Sequence, residues 1–258
     1  MITAEPIGHT LLIRLDRPSK KNALTPAMLD GLISHLDTAW SAHAIVLSGT
    51  GDCFCAGFDL PLCQADDTAL AALLTSLSAA VHAMRTIPCP VIIAAHGAAI
   101  AGGCALLSGA DIVVTNSAAT LGYPVLRLGI SPAVAAPLLF LSVGTGPARA
   151  RLMSGQLMIG SEALAAGLAH ECCATREEVE PKALELAKIL ADKPRHAIVY
   201  TKNFLNRIDD SLNAAHAPLA SQLNAAREAS LSLVGSAEQR TLLAGILAKS
   251  TARAEPRS

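Results

Sequence analysis

From Thr86 to Ala110 the chain runs for 25 residues without an Asp, Glu, Lys or Arg. Length alone would allow that stretch to span a membrane. Its interior argues otherwise: Pro88 and Pro90 break helix at one end, His96 sits mid-run, and Gly97, Gly102 and Gly103 follow. A buried strand over 90–95, a glycine turn over 97–103 and a short buried helix starting near Gly102 fit better. Glycines between a strand and a helix leave free backbone N–H groups where a ligand can approach closely, which is an anion or oxyanion geometry. An isolated Gly-Gly pair is equally well explained by close helix–strand packing.

Periodicity organises the rest. Thr10 to Leu15, Ile45 to Ser48 and Ile112 to Thr115 read as strands. Thr25-Pro26 reads as a helix start, with Leu29, Leu32, Ile33 and Leu36 recurring at helical spacing, and a second helix is expected over 68–84. Beyond residue 145 helical patterns take over, at about 146–153, 161–167, 176–191, 195–207, 212–233 and 236–248, with a frayed tail after Thr251. Strands followed by helices indicate an α/β core and then a helical region, an α/β class.

Composition removes several function classes. With 20 basic and 21 acidic residues, no polybasic run and 3% aromatics, the chain lacks what nucleic-acid binding needs. No signal peptide is visible, and membrane association is not expected. Seven cysteines without paired C-x-x-C spacing oppose a disulfide framework or a zinc site; no metal is expected, and free thiols imply a cytoplasmic setting. Cys172-Cys173 reads as two small buried residues.

Three segments pair a strand with small residues at a turn: LDRPSKKNAL (15–24), GTGDCFCAGFDL (49–60) and HGAAIAGGCALLSGADIV (96–113). A fourth, LGYPVLRLGISPAVAAPLL, covers 121–139, and Leu152–Gly155 and Ser161–Leu168 follow as a helical, strand-free motif. In this order they closely resemble the enoyl-CoA hydratase/isomerase (crotonase) family, from residue 5 to about 250. The resemblance implies a core over 1–195 built as a spiral of ββα turns and a C-terminal helical trimerisation region over 196–258, assembling as a homotrimer or hexamer. It implies an acyl-CoA thioester as ligand, coenzyme A entering with the substrate and no separate cofactor. By motif position the backbone N–H groups of Phe58 and Gly102 would hold the thioester oxygen, Ala23 and Ala56 would meet the adenine, and Lys20, Lys21 and Lys249 are candidates for the phosphates. Each lysine is equally well a solvated surface charge.

The departures from the family are as informative. Hydratases place glutamates at the positions of Ala105 and Val125, and isomerases sometimes place one at Ala133. All three are apolar here, and neither alanine nor valine transfers protons, a contribution of roughly 10²–10⁴-fold per group. Asp59, grouped with the coenzyme A-binding residues, has a side chain that commonly belongs to its own loop. Asp66 and Asp67 read as helix N-terminal carboxylates, Asp111, Glu162 and His96 as structural groups, and Cys104 has no adjacent His to activate it. Tyr123, Ser108 and Ser131 fall near the expected pocket; Tyr123 is a hydrogen-bond donor to substrate rather than a base. The sequence therefore supports an acyl-CoA-binding protein that stabilises an enolate without the usual glutamates. The alternatives are a decarboxylase or other divergent acyl-CoA lyase, a non-catalytic acyl-CoA-binding paralogue, and a hydratase whose base comes from another loop.

Overall fold

The computed structural model of the chain describes residues 1–212 and 218–254. In chain order the strands are β1 (Ile2–Ile7), β2 (Thr10–Leu15), β3 (Ala44–Gly49), β4 (Val91–Ala95), β5 (Ala98–Ile100), β6 (Ile112–Asn116), β7 (Thr120–Gly122), β8 (Met158–Ile159) and β9 (Glu171–Cys173). The helices are α1 (Pro26–Thr38), α2 (Leu60–Ala65), α3 (Asp67–Thr86), α4 (Gly102–Leu107), α5 (Ala136–Val143), α6 (Thr145–Ser154), α7 (Gly160–Ala165), α8 (Val179–Ala191), α9 (Arg195–Leu212), α10 (Leu219–Leu231) and α11 (Ala237–Ala254).

Six strands form one sheet in the order β1-β2-β3-β4-β6-β9, parallel except for the β1–β2 pair. Both faces of its centre are covered, which is why β3 and β4 are buried throughout and, Ser48 apart, carry no polar side chain. Leu12, Val46, Ile92 and Val114 pack beneath Val179, Ala183 and Ala187 of α8. Ile13, Ile45, Leu47 and Ile93 belong to the larger core with α1 and α3. Each such side chain contributes about 1.5–3 kcal/mol by leaving water. A second, small sheet takes the order β5-β7-β8 and sits where the glycine turn begins.

The charge-free run 86–110 resolves into β4, β5 and α4, and among the described residues no helix is long and apolar enough to cross a membrane. The Thr25 hydroxyl accepts from Met28 N at 3.2 Å and Pro26 opens α1, as the dipeptide predicts. Asp111 is structural: its Oδ2 accepts from Val91 N at 2.8 Å and from the buried Lys202 ammonium at 2.7 Å. Lys202 Nζ also reaches the carbonyls of Met84 and Cys89, so one buried cation ties α9 to the start of β4.

Several expectations need correcting. The 152–168 stretch is not free of strand, because Met158 and Ile159 pair with β7. Cys172 and Cys173 lie in β9 and are half-buried rather than buried. The eighth helix starts at Val179 instead of 176, since Glu178 Oε2 accepts from the N–H groups of Ala174 and Thr175 and holds that segment as a turn. The helix expected over 212–233 spans Leu219–Leu231, with 213–217 outside the described residues, and α11 continues past Thr251 to Ala254.

One link in the sheet carries a pH dependence. His170 Nδ1 accepts from Val113 N at 2.9 Å, and His170 N donates back to Val113 O at 2.9 Å. Accepting at Nδ1 requires that nitrogen to be unprotonated, and burial pulls the imidazole below its usual 6.5. The unfolded chain therefore takes up its proton first. The contribution of His170 is fully present above pH 6.5 and is lost as pH falls through the lowered folded value. Asparagine can accept the same N–H without titrating. In urea titrations the wild type should lose more stability between pH 7.5 and 5 than His170→Asn does; parallel losses would contradict this.

Candidate active site

Three backbone segments zip together beside the C-terminal end of the sheet. Phe54 N donates to His96 O at 2.8 Å, Cys55 N to Ala98 O at 3.0 Å, and Ile100 N to Cys55 O at 2.9 Å. On the other side Leu24 N donates to Gly57 O at 2.7 Å, Asp59 N to Leu24 O at 3.0 Å, and Ala56 N to Lys21 O at 3.0 Å. The segments read from sequence as 15–24, 49–60 and 96–113 are thus neighbours in space. Asn22, fully buried, locks the junction: its Oδ1 accepts from Arg17 N, and its Nδ2 donates to the carbonyls of Thr50 and Cys53.

Some donors are left over. Within this bonding pattern the N–H groups of Phe58 and Gly102 have no protein acceptor among the described residues. Their loops touch: a Cβ on Gly102 would lie 2.6 Å from the Phe58 ring, and one on Gly103 would lie 2.6 Å from Cys55 O. Glycine at 102 and 103 is therefore a matter of close approach. Ala101, immediately before, holds φ +53, a left-handed conformation that costs a non-glycine residue about 1–3 kcal/mol. It is retained by Ala101 N donating to Gly122 O at 2.8 Å and by Ala105 N donating to Ala101 O at 2.9 Å.

Phe58 and Gly102 line the same narrow cavity. Ala105 and Val125 line it too, with Leu74 and Leu77 of α3. The remaining wall is the segment 130–135, from which Ala133 itself is absent. Among the described residues the polar side chains in the lining are Tyr123 and Ser131, and none there is acidic, basic or histidine. The Tyr123 hydroxyl donates to Cys104 O at 3.3 Å, and burial raises the phenol well above 10, so it stays neutral. Ser131 Oγ accepts from Ala133 N at 3.3 Å. Burial pushes the Cys104 thiol up to about 12, which removes it as a nucleophile near neutral pH. Ser108 turns its hydroxyl onto Ala105 O at 2.6 Å.

The other singled-out residues have local work. Asp59 pairs with Arg17 at 2.6 Å and caps α2 by accepting from Leu62 N at 3.3 Å. Asp66 caps α3 through Thr68 N at 2.8 Å; the Asp67 side chain lies outside what is described. Glu162 accepts from Ile159 N at 3.1 Å, and His96 Nε2 lies 3.1 Å from Gly51 O. Lys20 and Lys21 are exposed beside Ala23 and Ala56, and Lys249 is exposed on α11, which packs against α2. Arg17 and Asn22 were the residues missed. Both stand in LDRPSKKNAL, but the lysines drew attention as charges, and nothing local reveals partners 28 to 42 residues away. Among the described residues no group of three or more His, Cys, Asp or Glu is placed to hold a metal ion.

Comparison with known proteins agrees with this geometry. The family model for enoyl-CoA hydratase/isomerase matches residues 8–239. A Thermus thermophilus relative described as an enoyl-CoA hydratase is 34% identical over 195 residues, 72% of this chain and 74% of its own. The 2,3-dehydroadipyl-CoA hydratase of Escherichia coli is 32% identical over 204 residues, 77% of this chain and 79% of its own. The crystal structure of an enoyl-CoA hydratase/isomerase from Xanthobacter autotrophicus Py2 superposes with a TM-score of 0.85 at 25% identity, covering 98% of this chain and 97% of that one. Zipped loops, α/β spiral and sequence match together show that the chain belongs to the enoyl-CoA hydratase/isomerase family and has its crotonase fold.

Proposed function

We propose that the protein binds an acyl-CoA thioester and polarises its carbonyl, through the N–H groups of Phe58 and Gly102, towards an enolate, without the glutamate pair that adds water. The observation that carries this reading is the cavity itself. Two unpaired backbone donors meet a lining that, among the described residues, contains no proton-transfer carboxylate and includes Ala105 and Val125. Preorganised donors of this kind lower the barrier to charge development by roughly 2.7–4 kcal/mol each in other enzymes. Coenzyme A would lie along Ala23, Ala56 and the lysines, and the acyl group in the cavity. The reading includes a homotrimer or hexamer, for which the exposed Tyr200, Phe204 and Leu205 of α9 offer an apolar face. It also includes a cytoplasmic setting, supported by seven free thiols.

The test is the carbonyl of a bound thioester. Butyryl-CoA carrying ¹³C at the thioester carbonyl should bind and show a downfield shift and a lowered C=O stretching frequency. Binding with an unshifted carbonyl would remove the two donors from the reading.

The absence of a base favours one reaction over others. Decarboxylation of a malonyl-type thioester breaks the bond to the carboxylate carbon, leaves its electron pair in the enolate, releases carbon dioxide and takes a proton from solvent. No protein base is needed to start it. Methylmalonyl-CoA and malonyl-CoA should therefore release carbon dioxide, whereas a chain that only binds acyl-CoA releases none.

A further inference from the structure

The cavity wall over 130–135 is held from outside as well as by its own Ser131 cap. Residues 132–135 form a single 3-10 turn with Pro132 at its start, and Ser131, Val134 and Ala135 face the cavity. The turn is pinned from α10, almost a hundred residues further along the chain. Ser230 Oγ accepts from Val134 N at 3.1 Å and donates to Ser131 O at 3.2 Å. Ser230 is 1% exposed, so neither bond has water as a substitute. Leu219 and Leu223, buried on the same helix, set α10 against the core. One hydroxyl thus satisfies a donor and an acceptor on either side of the turn.

We infer that Ser230 is a positioning residue for acyl selectivity: through Ser131 and Val134 it sets the wall against which the acyl group packs. This rests on the proposed reading of the cavity as the acyl site. The coenzyme A contacts of that reading lie on other segments, at 20–23 and 56. The hydroxyl therefore governs the gain from the acyl group and not the binding of coenzyme A. Alanine leaves both backbone groups without partners and frees the turn to shift. Threonine keeps the oxygen.

Titration calorimetry with coenzyme A and with butyryl-CoA separates the two contributions. The wild type should bind butyryl-CoA roughly tenfold or more tightly than coenzyme A. In Ser230→Ala that ratio should fall by about three- to tenfold with coenzyme A affinity unchanged, and Ser230→Thr should restore it. If Ser230→Ala does not fold, Ser230→Cys, which keeps the shape and weakens both bonds, should show the same loss. A folded Ser230→Ala or Ser230→Cys with the wild-type ratio would overturn the inference alone. A wild type that binds the two ligands equally would overturn the acyl-site reading and the inference with it.

Discussion

The double variant Ala105→Glu/Val125→Glu should hydrate crotonyl-CoA at least about 10²–10⁴-fold faster than the wild type. Both positions line the cavity onto which Phe58 and Gly102 open. Two carboxylates placed there meet the chemical requirement of hydration, one taking a proton from water and the other delivering one to the α-carbon. An apolar lining raises the pKa of a carboxyl group by desolvation, and two neighbouring carboxylates push their values apart, so one acid and one base arise from the same residue type. Each single variant should gain far less, because each lacks half of the proton path. The added carboxylates should lower the melting temperature, since nothing in the lining pairs with them. A double variant that folds, binds butyryl-CoA and still adds no water would mean that the missing glutamates are not what separates this chain from a hydratase.

Gly97→Ala should be the most damaging small substitution near the site. Gly97 has φ +66, and a Cβ built there lies 2.1 Å from Asp52 O and 3.1 Å from Cys53 Cα. Both obstacles are backbone, so no side-chain rotation relieves them. Its N–H donates to Asn116 Oδ1 at 2.9 Å and its carbonyl accepts from Thr120 N at 2.9 Å, which prevents a local flip. Strain and overpacking together should cost on the order of 4 kcal/mol. For a chain of this length that lowers the melting temperature by roughly 10 °C. The displaced segment carries Cys55 and leads to Phe58, so acyl-CoA affinity should fall along with stability. A melting temperature within 2 °C of wild type would show that the 52–58 loop is not seated on Gly97 as described.

What could be read from the sequence follows from locality. β3 and β4 announce themselves because both faces are covered and their residues, Ser48 apart, are apolar or glycine. Thr25-Pro26 announces α1 because a cap and its helix are adjacent. The glycine turn and the apolar residues at 105 and 125 were equally visible, since each stands at a short offset from a landmark. β1 was not: most of its residues are exposed at a sheet edge. β7 and β8, three and two residues long, carry too little pattern to register. Ser230 reads as one small residue in a helix until Ser131 and Val134 are beside it. The Arg17–Asp59 pair likewise joins residues that only the folded loops bring together.

The most direct test is a time course of crotonyl-CoA at high protein concentration, following the enoyl-thioester absorbance, with butyryl-CoA binding measured on the same preparation. Binding without loss of absorbance beyond the uncatalysed rate is the expected result for a cavity with two backbone donors and, among the described residues, no carboxylate. Rapid hydration by the wild type would contradict it and would require a carboxylate from outside the lining to reach the thioester.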